Sequence, residues 1–233
     1  MIAGRHALTR CMLATLCVAA WPAAVMANDR PFLLTSSAAA EEDDDKVWAI
    51  ETWWQRVGSD RGFTVAPEYA FDPTNSIQLE LTRSSGNTTS AELEFKHLFN
   101  HIARDGWGWG VDVSLGAGSS EGSGWKQESF SVKLPYTLAL RGGDAMLHVN
   151  AGIQKQRDVR REWVGSVAFE HQMPWRTTAF VEVGREDRQT LWHAGARHWI
   201  KREKLALDVS VQQWRAGGEK ANGVVIGLAW YDL

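Results

Sequence analysis

The chain has 233 residues, 44% of them hydrophobic and 23% charged, with 25 basic against 28 acidic side chains and a formal net charge of −3. That length admits one large domain or two small ones with material for a real core. The slightly acidic balance lacks the concentrated basic surface that a nucleic-acid partner requires. The unusual features are 13 tryptophans and 21 glycines beside six prolines, so their positions carry much of the argument.

Residues 1–27 read as a secretory signal peptide. Arg5, His6 and Arg10 lead, an apolar stretch runs from Met12 to Val25, and Ala27 supplies the small residue at the cleavage point. The stretch is shorter than the ~20 apolar residues of a membrane-spanning helix. Cys11 and Cys17 both lie inside it, and Leu16 is not the small residue that lipidation of Cys17 wants. The rest of the chain is therefore expected to have no disulfide, thiolate chemistry or lipid anchor. Residues 28–46 read as a disordered acidic leader, because Glu41-Glu42-Asp43-Asp44-Asp45 repel one another and bury nothing. Their spacing is not that of a calcium loop.

Residues 47–233 keep a period of two. Ile77, Leu79 and Leu81 alternate with Gln78, Glu80 and Thr82, and Ala91, Leu93 and Phe95 with Glu92, Glu94 and Lys96. Phe130, Val132, Leu134 and Tyr136 repeat the pattern, as do Leu205, Leu207, Val209 and Val211. The only helical hint is a short turn at 100–104. Turn signals recur at 59–62, 72–75, 84–87, 104–106, 116–124, 141–144, 157–161, 173–174, 186–188, 201–203 and 217–222. Eleven connections give about twelve strands joined as consecutive hairpins. The predicted fold is all-β: a transmembrane antiparallel up-and-down β-barrel with both ends in the periplasm of a Gram-negative bacterium, seated in the outer membrane.

A soluble Trp-rich β-sandwich that binds ligand in the periplasm is the competing architecture, but sandwich strands average only about 5 to 6 residues and leave edges to protect. A closed barrel in lipid has none. Tryptophan placement agrees: Trp107, Trp125, Trp163, Trp175 and Trp192 open strands, whereas Trp199, Trp214 and Trp230 close them, as interfacial girdles would. The ending Val224-Val225-Ile226-Gly227-Leu228-Ala229-Trp230-Tyr231-Asp232-Leu233 is similar to the amphipathic last strand read by the barrel-assembly machinery, although it ends in Leu and not Phe.

Gly62-Phe63-Thr64-Val65-Ala66-Pro67-Glu68-Tyr69-Ala70-Phe71, with the following Ile77-Gln78-Leu79-Glu80-Leu81, resembles outer-membrane proteins of the phenol meta-degradation-pathway transporter type. Trp192-His193-Ala194-Gly195-Ala196-Arg197 and Lys204-Leu205-Ala206-Leu207-Asp208-Val209 look like the closing hairpin of such barrels. The resemblance spans residues 48–233 and implies an outer-membrane barrel associated with uptake, without implying any functional residue.

With Leu, Val and Phe facing lipid, the lumen receives Glu51, Glu68, Glu80, Glu92, Glu94, Asp112, Glu170, Glu182 and Asp208 against Lys96, Lys133 and Arg197, a net charge of −6. His148, Asn150, Gln154, Ser166, Thr178, His193, Ser210 and Gln212 add neutral hydrogen-bonding groups. Such a lining suits a narrow channel or transporter for a small solute, with a preference for cations. The alternative is a non-conducting structural barrel whose carboxylates pair with the bases. Enzymatic activity is not expected, because no strand supplies a His-x-Ser pair, although cross-strand pairing of Ser210 with His193 or Arg197 is open. Neither His97 with His101 nor His193 with His198 makes a metal site, and the 116–124 glycine run lacks the Lys and helix of a phosphate loop, so no metal or cofactor is expected. Expected partners are outer-membrane lipid and lipopolysaccharide, the barrel-assembly machinery and a small solute. Arg at Leu207 or Val132 is expected to destabilise, and Asp208→Asn to be tolerated.

Overall fold

The period-two pattern folds into strands that each pair with the next. A computed structural model describes residues 31–38, 46–120, 124–157, 161–186 and 188–233. The strands are β1 (Val47–Val57), β2 (Asp60–Asp72), β3 (Asn75–Ser84), β4 (Thr88–Leu98), β5 (Trp107–Ser119), β6 (Lys126–Leu140), β7 (Ala145–Gln156), β8 (Glu162–Met173), β9 (Thr177–Glu186), β10 (Gln189–Lys201), β11 (Leu205–Ala216) and β12 (Glu219–Trp230). Each is antiparallel to its neighbours, and β1 pairs with β12 from Ile50↔Trp230 to Val57↔Gly223, closing the sheet. Closure leaves no unpaired strand edge, and it rules out the two-sheet sandwich. Strands of 10 to 15 residues suffice to cross a bilayer when tilted.

Alternation decides which side chain meets which solvent. On β6, Phe130, Leu134 and Tyr136 are exposed on the outer wall, whereas Ser131 and Thr137 are buried inside. On β11, Leu207, Val209 and Val211 face out, and Asp208, Ser210 and Gln212 face in. A wall this apolar requires lipid around it, so the chain is an outer-membrane barrel and crosses with strands. Aromatic rings collect where the wall meets the headgroups. Trp48 tilts against Tyr69, Tyr69 meets Phe71 edge-on, and Phe99 lies against Trp109, all at the end that carries the start of β1. Trp54, Trp125, Trp163 and Trp192 are exposed toward the other end.

The first and last strands both start or finish at one end, with the connections β2–β3, β4–β5, β6–β7, β8–β9 and β10–β11. At the β4–β5 connection lies α1 (Ile102–Asp105), whose C-cap Gly106 takes the left-handed φ of 74° that glycine adopts without strain. Ile102 is buried and packs on Met146.

Three expectations change. Phe180 faces the lumen, buried against Ala168, because it shares β9's inward phase with Glu182. Trp199 and Trp214 also follow the inward phase of their strands: Trp199 packs beside Tyr231, and Trp214 donates to Gln212 at 2.6 Å. The largest change concerns the leader. Residues 31–38 are not solvated but buried within the barrel, because Pro31, Phe32, Leu33 and Leu34 give this stretch apolar surface that the acidic run lacks. The acidic residues 41–45 and the signal peptide at 1–27 lie outside the described residues.

Candidate functional site

The lumen collects a row of buried polar side chains among the described residues, and the segment 31–38 lies across it. Glu182 of β9 accepts the backbone N–H groups of Leu33, Leu34 and Thr35 at 2.9, 2.9 and 2.7 Å. A carboxylate buried this deeply is tolerable only when its oxygens are saturated by donors. The remaining donor is His193 of β10, whose Nδ1 lies 3.0 Å from Glu182 Oε2. Since a carboxylate can only accept, Nδ1 carries a proton, and Nε2 lies 2.8 Å from Ser210 Oγ of β11. Strand register makes this row, for Glu182 stands directly opposite His193, and Ser210 opposite the adjacent Gly195.

Further along the segment, Asn150 of β7 pairs with both backbone groups of one residue: Ser36 N–H donates to Oδ1 at 2.7 Å, and Nδ2 donates to Ser36 O at 2.8 Å. Ala38 N–H donates to Thr137 Oγ1 at 2.8 Å. Thr137 in turn lies 2.9 Å from His148 Nδ1, and His148 Nε2 faces Glu170 at 3.4 Å. Thr35 Oγ1 bonds Ser166 Oγ at 2.8 Å. Phe32 is the apolar anchor, edge-on to Phe180 with ring centroids 5.7 Å apart and 5.0 Å from His148.

Glycines make room for this strap. A Cβ on Gly108 would run into the Ala38 carbonyl oxygen, and one on Gly184 would lie 2.8 Å from Leu34 Cδ1. Gly108 and Gly184 sit at inward positions of β5 and β9.

The charged candidates form pairs around the strap. Arg197 clamps Asp208 with two 2.8 Å bonds and lies 3.7 Å from Glu51, which also accepts from Tyr231 Oη at 2.6 Å. Its guanidinium stacks 5.7 Å from the rings of both Trp199 and Tyr231. Lys133 faces Glu94 at 3.7 Å, and register sets Asp112 between Lys96 and Lys133. Glu80 lies directly opposite Glu92. Glu68 is buried on β2. Glu68, Glu80, Glu92, Glu94, Lys96, Asp112, Lys133, Glu170, Glu182, Arg197 and Asp208 thus all occupy inward positions.

Among the described residues, two cavities bear on the strap and the lumen mouth. One of about 200 Å³ rests against Leu33 and Leu34 and is lined by Glu80, Glu92, Lys133 and Gln154. Another, of about 210 Å³, opens at the end that carries the start of β1 and the end of β12, beside Glu170, Arg176 and Arg202. Between Pro31 and Ser210 only about 10 Å³ is left. The Glu182–His193–Ser210 row has the order of a nucleophile, base and orienting acid. Here Glu182 is also bonded by the backbone N–H groups of the strap.

Sequence reasoning missed Thr137, Tyr231, Phe180 and Gly108. The alternation that placed Ser131 and Lys133 inside extends to Thr137, so that signal was present. No sequence signal tells that an eight-residue stretch will fold back into its own barrel.

No protein-family model and no curated protein sequence matches the chain. Solved structures resemble it in fold. The KdgM porin has a TM-score of 0.64 at 10% identity, over 78% of this chain and 98% of that one, and a second structure shows that porin in complex with disordered oligogalacturonate. The NanC porin has a TM-score of 0.54 at 10% identity over 78% and 98%. Omp33 of Acinetobacter baumannii has 0.54 at 6% identity over 81% and 99%. At these identities the likeness is one of fold.

Proposed function

We propose that the protein is an outer-membrane channel for small polar solutes, closed by its own segment 31–38 and opened when that segment withdraws. The observation that carries this reading is the way the strap is held. Its bonds run to side chains of the wall, at Glu182, Asn150 and Thr137, and water or a solute can take over each of them. Twelve strands lie between filled eight-stranded barrels and open barrels of about 16, a size at which an internal segment decides whether the lumen conducts. The porin-like fold and the resemblance to the phenol meta-degradation-pathway transporter type both support uptake, and neither names the solute. A preference for cations would come from Glu80 and Glu92 in the cavity above the strap.

The outer rim supports lipopolysaccharide as the surrounding partner. Arg56, Arg61, Arg83, Arg185, Arg215 and Lys220 occupy outward positions at the end away from the start of β1 and the end of β12. Arg56 stands opposite Arg61, and Arg215 opposite Lys220. Like charges so opposed repel unless an anion such as a lipid phosphate bridges them. The amphipathic β12 supports handling by the barrel-assembly machinery, and export follows from cleavage after Ala27.

The test is planar-bilayer recording of the full chain beside a variant lacking residues 28–46, with heat-dependent gel mobility confirming that both are folded. The full chain should be quiet, and the shortened one should conduct steadily. In the shortened channel, changing Glu80, Glu92 and Glu94 together to Gln should reduce cation preference. A folded, shortened barrel that stays silent would leave the non-conducting structural barrel as the better account, a reading favoured by the Arg197–Asp208 and Lys133–Glu94 pairs.

A further inference from the structure

The strap shows what kind of molecule the lumen accepts. Five of its backbone N–H groups, at Leu33, Leu34, Thr35, Ser36 and Ala38, donate to side chains of the wall. The Ser36 carbonyl accepts from Asn150. Thr35 Oγ1 also bonds Ser166 Oγ. Five main-chain donors and one main-chain acceptor put much of the recognition on the peptide main chain, which every peptide shares, and the missing side chains at Gly108 and Gly184 create the space in which that main chain lies. The segment Thr35-Ser36-Ser37-Ala38 carries only small side chains, all buried, so the channel there is narrow. The Phe32 site against Phe180, Ala168 and His148 takes one larger apolar group.

We propose that this lumen is a binding site for short extended peptides, in which the strap is a tethered occupant that a free peptide replaces. The proposal rests on the reading of the barrel as a strap-closed channel and names its solute class. The fixed acceptor Glu182, held by His193 and Ser210, suits three consecutive amide donors. The amide of Asn150 suits the N–H and C=O of one residue of an extended chain. Size at the narrow part, and one apolar group near the Phe32 site, set which peptides fit.

The experiment uses the barrel lacking residues 28–46 in detergent and titrates it calorimetrically with the N-acetylated, C-amidated peptide Pro-Phe-Leu-Leu-Thr-Ser-Ser-Ala. The peptide should bind. An unrelated peptide with Phe at its second position and alanines elsewhere should bind within about tenfold of it, since the main chain is what is read. An ester in place of the Thr35 amide, which removes one donor to Glu182, should weaken binding about tenfold, and Glu182→Gln in the barrel should weaken it likewise. Trp at the positions of Ser36 and Ser37 should abolish binding.

Failure of the alanine peptide with success of the strap peptide would overturn the proposal and leave the site a private latch. Equal binding of a neutral oligosaccharide would overturn the peptide class. Conductance is read separately: a shortened barrel that binds peptide but passes no current keeps the peptide site and loses the channel, whereas one that conducts but binds no peptide keeps the channel and loses the site. If the shortened chain does not fold, the full-length Ser36→Trp, Ser37→Trp variant, whose own strap no longer fits the narrow part, presents the unaltered wall for the same titrations.

Discussion

Arg197 is buried, and its two 2.8 Å bonds to Asp208 are what make that burial tolerable. Asp208→Asn, expected to be harmless for a wet lining, should therefore be costly. It strips the guanidinium of its bidentate partner and should cost about 3 kcal/mol or more, read as a lower temperature for the heat-dependent gel shift. Replacing both partners with apolar residues should recover much of the loss. A smaller substitution tests the strap: Gly108→Ala puts a methyl group into the Ala38 carbonyl, so it should dislodge residues 31–38 and turn the quiet full-length barrel into a conducting one. At the membrane surface, Asp105 takes two bonds from Arg104 at 2.8 Å, which together with Asn100 hold its carboxyl down from 3.8 to about 2. A depressed carboxyl stabilises the fold above its ordinary value and loses that contribution as pH falls toward the depressed one. The protection factor of the Gly106 amide, its exchange relative to that of an unstructured amide at the same pH, should therefore fall between about pH 4 and pH 2, and Asp105→Asn should remove this loss.

A single strand carries two opposite solvents on its faces, and substitutions should divide accordingly. Leu207 and Val132 point into the bilayer wall, and Arg at either should cost about 2 to 4 kcal/mol near the midplane. Chemical denaturation in vesicles reads this directly, and equal tolerance on both faces would contradict the assigned phase. The same logic explains Tyr231. It lies one residue past β12 and continues that strand's inward phase, so its hydroxyl reaches Glu51 across the β1–β12 seam. Tyr231→Phe should loosen the seam by about 1 kcal/mol or somewhat more, the usual worth of a hydrogen bond to a charged group.

The whole barrel has two different ends. One carries the start of β1, the end of β12 and α1, and the other carries the outward arginines and the connection that follows Ser119. Single cysteines at Ser120 and Asp144 lie at opposite ends, so a membrane-impermeant reagent applied to intact cells should label the first and spare the second. Ala38, the last described residue of the strap, lies by Gly108 and Thr137, near the start of β5 and the end of β6 and so toward the end where β1 begins. On the proposed reading, the strap would withdraw toward that end, and the rim of basic residues on the far side need not move.

Strand number, phase and connections were legible in the sequence because each depends on local chemistry: a period of two set by burial on one face, and turn residues between. The inward set from Glu68 to Asp208 followed from the same period. Three matters were decided only by the tertiary structure. Pairing of Glu182, His193 and Ser210 needs three strands in register, and no one strand carries it. The Arg197–Asp208–Glu51–Tyr231 group exists only where β12 meets β1, strands separated by most of the chain. The strap is the clearest case: Pro31 to Ala38 shows neither strand period nor helix period, and what holds it is a set of acceptors that only barrel closure assembles around one main chain.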